Sequence, residues 1–153
     1  MYATVLLMHT WLRWPVLALG VAFLLRAASG WRRERPWTEH DERWRRVFLR
    51  TLDAQVVLGL ALYTLLSPIS RAGMADLQGT LGDGVLRFFT IEHPFGMLSG
   101  VVVAHLGLRR AKTAPGVRAA RLTTLTLLVW LLFTAGSVPW PGLAYGRPLL
   151  RPW

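Results

Sequence analysis

Five ionisable side chains stand out by position: His9 and Arg13 inside the first long apolar run, and Arg87, Glu92 and His93 in RFFTIEHP at the start of the third. Two neutral imidazoles on separate segments are what the iron of a six-coordinate haem b needs as axial ligands. Arginines nearby are what its propionates need as charge-assisted partners. An ionisable group in an apolar run is costly to keep there, so such a cluster is a functional candidate by default. The same residues also suit a plainer task, since His, Arg and Glu at a helix end can reach outward to water, and Glu92 at a helix N-terminus complements the helix dipole.

The two histidines share a height. His9 is seventeen residues from Arg26 and His93 sixteen from Arg109. At a rise of 1.5 Å per residue both lie roughly 24 to 26 Å above the basic boundary of their segments. Arg13 comes out roughly 20 Å above it, inside an apolar core ~30 Å thick, where an arginine needs a partner. Met97, Gly100 and Ala104 continue the His93 face, and Gly96, Gly100 and Ala104 form a small-xxx-small series. That series admits either a flat macrocycle or a close helix contact.

His105 is a different case. Twelve residues on from His93, at ~100° per residue, it is turned about 120° away. Its expected neighbours in depth are Asp53 and Gln55, and a His105–Asp53 hydrogen bond is the first expectation. A second haem, or a chlorophyll-type ligand at His105, is the lesser alternative. His40 sits in an exposed acidic turn and takes no role.

These residues must be carried by elements suited to an apolar solvent. Hydrophobic residues make up 53% of the 153 positions and charged residues 17%, too apolar for polar faces at helical spacing. The excess falls in four runs, about 4–28, 47–66, 93–108 and 121–138, each near the ~20 residues that cross a bilayer. The expectation is an all-α integral membrane four-helix bundle in one domain, with a long, glycine-rich outer loop over about 67–92. The first run has no basic segment before it and carries His9 and Arg13, so it is expected to stay in the mature protein. Thr38 with Asp41 three residues on reads as an acidic capping box opening the second helix. The tail VPWPGLAYGRPLLRPW has too many prolines for a helix and is expected along the outer surface or on another subunit.

Charge gives the orientation. Eight basic residues fall between Arg26 and Arg50 and five between Arg109 and Arg121, against Arg13, Arg71, Arg87, Arg147 and Arg151 at the other end. Thirteen against five puts loops one and three in the cytoplasm and both termini outside, N-out and C-out. The net charge of +10 is then a topology signal plus attraction to anionic lipid, and nucleic acid is not needed to explain it. Trp11, Trp14, Trp140 and Trp153 are expected at the outer boundary, Trp31, Trp37 and Trp44 at the inner one, and Trp130 in mid-membrane. With no cysteine, thiolate ligands, iron–sulfur clusters and c-type haem attachment are excluded. No nucleophile–base pair, HExxH or phosphate loop suggests a stand-alone enzyme, and no paired broken helices suggest a transporter.

The motifs HTWLRW (9–14), QVVLGLALY (55–63), RFFTIEHP (87–94), GLRRAK (107–112) and PWP (139–141) touch all four runs. In these the chain resembles the small bacterial four-helix membrane proteins described as cytochrome b-like. The resemblance implies a haem-associated, respiratory-type protein of the bacterial inner membrane, with His9 and His93 carried over by their motifs. It also implies a histidine in relatives where this chain has Asp53, which counts against a second, inner haem. Two functions follow as expectations: a membrane electron-transfer protein holding haem b between helices one and three, or a cofactor-free accessory subunit of a respiratory or photosynthetic complex. Either would have the bilayer and other membrane subunits, or a redox partner at the outer face, as its partners.

Overall fold

Thr38 opens the second helix as its sequence suggests. Its hydroxyl accepts from the Asp41 amide, and the Asp41 carboxylate accepts from the Thr38 amide at 2.8 Å, a reciprocal capping box. Asp41 also accepts from Arg26 and from Arg35, each at 2.8 Å, and is only 2% exposed, so the helix start is tied to the helix before it.

The computed structural model describes residues 1–149. It is all-α, and no strand forms among the described residues. Four long helices are α1 (Tyr2–Arg32), α2 (Glu39–Ala61), α6 (His93–Lys112) and α7 (Val117–Ser137), with α3 (Pro68–Ala75), α4 (Leu77–Gly82) and α5 (Gly84–Arg87) between α2 and α6. Three are long and apolar enough to cross a membrane: α1, α2 with its continuation to Leu66, and α7. In α6, Arg109, Arg110, Lys112 and three glycines dilute the apolar content.

α1 packs on α2 and α7, α7 packs on α6, and α6 touches α2. The contacts depend on small residues facing large ones. Gly20 of α1 lies against the Trp130 ring, and Gly96 and Gly107 of α6 lie against Ser137 and Thr126 of α7. Trp130 is 1% exposed and meets Phe48 edge to face at 4.8 Å, with Phe23 and Leu127 completing the core.

Outward faces are apolar instead of polar. Phe95, Leu98, Val102 and Leu106 of α6 are 71%, 44%, 54% and 53% exposed, and Leu125, Leu128 and Leu132 do the same on α7. Leucine outward with serine, threonine and glycine inward is an arrangement compatible with a lipid solvent.

The segment expected as a long loop is largely helical. Ser67, Asp76 and Asp83 each place a side-chain oxygen on the amides of a following turn, which starts α3, α4 and α5. α2 ends in a π-helical turn, Leu62–Leu66, and a second, Phe88–Glu92, leads into α6. Tyr63 in the first donates its hydroxyl to the Thr90 carbonyl of the second at 3.0 Å, stapling the two turns together.

The described part of the tail, up to residue 149, is non-helical. It folds back onto its own helices: Tyr145 stacks on Phe88 at 3.8 Å and 10°, while Arg13 and Trp14 both donate to the Leu149 carbonyl, at 2.8 and 3.3 Å. Aromatic stacking and donors on α1 give this segment a seat on its own chain. Arg151 and Trp153, expected at the outer boundary, lie outside the described residues.

Candidate functional site

α1 is antiparallel to α2 and α7, so the start of α1, the end of α2, the start of α6 and the end of α7 meet at one end of the molecule. There they surround a cavity of about 490 Å³, within the range of small-molecule and cofactor sites. Val16, Leu52, Val101 and Trp130 form its apolar floor; Ile69 and Ser70 of α3, and Pro139 and Pro148 of the tail, border it above. Both π-helical turns contribute, through Tyr63 and Phe89. Such turns recur at functional sites because the extra residue re-aims side chains.

His9 and His93 both line this cavity, with ring centroids 6.5 Å apart and planes at 80°. Each ring is set by its surroundings. His93 Nδ1 is 2.6 Å from the Ser137 carbonyl, an acceptor only, so Nδ1 carries the hydrogen and Nε2 keeps its lone pair. His9 lies against Gly59, where an added Cβ would come within 3.0 Å of its Cε1. A side chain at Gly59 would displace the ring. Gln55 donates to the His9 main-chain carbonyl at 3.0 Å, and its amide nitrogen is 3.4 Å from His9 Nε2.

Three buried polar atoms on this cavity wall have no hydrogen-bond partner: His9 Nδ1, Arg13 Nε and Gln55 Oε1. Buried polar atoms are nearly always paired, and such a group of orphans marks a place where a ligand or solvent completes the site. The donor set suits haem iron. An imidazole nitrogen binds a transition metal at ~2.0–2.1 Å with its ring centroid about 1 Å behind, so two imidazoles sharing one iron have centroids roughly 6 Å apart. The 6.5 Å separation found here is of that size.

Arg13 lines the cavity, its guanidinium 5.0 Å above the Trp14 ring. Arg87 and Glu92 do not line it. They pair with each other at 2.7 Å, each 44% exposed, and Arg87 also donates to the Leu81 carbonyl. The second arginine at the cavity is Arg147, from the tail. His105 does not line it and meets Asp53 at 2.8 Å, whereas Gln55, expected beside that pair, faces His9 instead.

The small-residue series on α6 is taken up by helix packing. Gly96 and Gly100 face Ser137, Phe133 and Trp130 of α7, and Ala104 is fully buried. From α6 the cavity is lined by residues that include His93, Pro94, Met97 and Val101. Sequence reasoning did not single out Gln55, Tyr63 or Arg147 for the site; HTWLRW and QVVLGLALY contain His9 and its partner Gln55, but only the packing shows that they meet.

Comparison of the chain with protein-family models, with curated proteins and with solved structures gave no match.

Proposed function

We propose that the protein is a membrane electron-transfer protein of the cytochrome b-like kind, holding haem b between His9 and His93. The observation that carries the reading is the pair of imidazoles 6.5 Å apart on one cavity wall, beside buried polar atoms without partners. Haem supplies one-electron redox chemistry at its iron when bound. The chain's own residues do the rest. The Ser137 carbonyl fixes the His93 tautomer and raises the basicity of Nε2, the usual second partner of a ligating imidazole. Gln55 and Gly59 hold the His9 ring toward the cavity, and Val16, Leu52 and Trp130 keep the floor dry. A dry, low-dielectric surrounding together with nearby arginines sets the potential at which an electron is accepted.

The same reading takes α6 as a fourth span. Its outward stripe of Phe95, Leu98, Val102 and Leu106 supports that, because residues facing away from the neighbouring helices meet lipid. Lys112 reaches to 4.0 Å from Glu42, joining the basic ends of α6 and α2. Those ends lie in the cytoplasm and the haem site near the periplasmic face of the bacterial inner membrane, with N-out and C-out topology. The described part of the tail and the segment between α2 and α6, which suggested an accessory subunit without cofactor, also make contacts inside the chain.

The test is the optical spectrum of the purified protein in mild detergent, with extraction of the bound pigment. A Soret band that shifts reversibly on reduction, and protohaem in the extract, are expected. A colourless protein that takes up no added haem would contradict the assignment.

A further inference from the structure

Arg147 lies on the tail, beyond a run of prolines, yet its side chain reaches the cavity that holds His9, His93 and Arg13. Its guanidinium sits 5.1 Å above the Phe89 ring, and its amide donates to the Pro139 carbonyl at 3.0 Å. Contacts on both sides of it, Tyr145 on Phe88 and Leu149 under Arg13 and Trp14, hold the segment in place.

Charge balance at the cavity is one-sided. Among the described residues two arginines line it and no carboxylate does. The chain's eight acids lie elsewhere: Asp41 pairs with Arg26 and Arg35, Glu39 with Arg43, Glu42 with Arg45 and Arg46, Asp53 with His105 and Glu92 with Arg87, while Glu34 is exposed in the turn after α1. Asp76 and Asp83 cap helices in the outer segment. Among the described residues neither Arg13 nor Arg147 has an acidic partner. Two guanidinium groups facing an apolar cavity call for an anion carried on an apolar body, because charge-assisted, forked contacts to carboxylate are what arginine does best.

We propose that Arg147 and Arg13 together bind the acidic groups of the tetrapyrrole, which makes the C-terminal tail part of the cofactor site. This rests on the haem reading above and replaces Arg87 with Arg147 as the second cationic contact. Arg87 is engaged by Glu92 and Leu81, and it does not line the cavity. The tail then covers the site and also recognises the acid edge of what fills it.

The experiment titrates the apo-protein with protohaem and with its dimethyl ester, reading the Soret band, in the wild type and in Arg147→Gln, Arg13→Gln and Arg87→Gln. The wild type binds the free acid more tightly than the ester. Arg147→Gln and Arg13→Gln each lose on the order of tenfold for the acid, the size of a charge-assisted contact. Binding of the ester is unchanged in both, and Arg87→Gln matches the wild type for both ligands. Equal affinity of the wild type for acid and ester, or an Arg147→Gln protein that binds both as the wild type does, overturns the role of Arg147 and leaves the haem site standing. A wild type that binds neither overturns both.

Discussion

The Nδ1 of His93, at the start of α6, lies 2.6 Å from the main-chain carbonyl of Ser137, at the end of α7. The position of one helix end thereby sets the tautomer and aim of the imidazole on the other. What permits the approach is Gly96, where any Cβ would collide with the Ser137 side chain.

Gly96→Val should therefore push the end of α7 away and release His93. Expected are a stability loss of about 1–3 kcal/mol from overpacking and a several-fold fall in haem retained on purification. Gly136→Ala, where an added Cβ meets nothing within 4 Å, should retain haem as the wild type does. Equal haem content in both variants would mean that the Ser137 contact does not orient the ligand.

Arg13→Leu separates a cofactor contact from an arginine that only reaches for water. Its Nε is buried without a partner, and its Nη2 donates to the Leu149 carbonyl at 2.8 Å. The variant should insert normally, since removing a charge from that depth relieves a cost of up to ~3 kcal/mol. It should also bind haem more weakly or at a shifted midpoint potential. A redox titration with unchanged occupancy and potential would exclude Arg13 from the site.

His105 and Asp53, 2.8 Å apart and both exposed, form a pair separate from the cavity. Changing both to alanine should leave the Soret band and the haem-to-protein ratio unchanged. A loss of about half the haem would instead reveal a second site at His105.

Asp41 is the most heavily used polar residue at the basic end. It caps α2 and accepts from Arg26 and Arg35 while almost fully buried. Asp41→Ala should cost on the order of 3 kcal/mol, from lost charge-assisted bonds and the cap. Thermal unfolding followed by circular dichroism would show it. A melting temperature within a degree or two of the wild type would mean that the two arginines find other partners at no cost.

Much of this arrangement could be read from spacing. Counting residues from the basic anchors put His9 and His93 at one height, and the Thr38–Asp41 pattern marked the start of α2, because rise per residue and cap chemistry are local properties. Direction around a helix is harder to read across packed neighbours. Asp53 and Gln55 are two residues apart, about 200° around a helix; one meets His105 on α6 and the other His9 on α1. Which of them faced the site depended on how α1 and α6 sit around α2. Arg147 was hidden for a different reason. It follows prolines and turns, where no period carries a position forward, so only the folded tail shows that it reaches the cavity. The π-helical turns had no marker either, since each depends on contacts such as Tyr63 to Thr90 that join distant segments.

The central claim, axial ligation by His9 and His93, is tested most directly by the optical and electron paramagnetic resonance spectra of the wild type, His9→Ala, His93→Ala and the double variant, each purified after expression with ample haem. The wild type should show a six-coordinate, low-spin ferric centre. Each single variant should lose that signal or convert to a high-spin form, and the double variant should carry no stoichiometric haem. A low-spin centre that survives in the double variant would contradict the account.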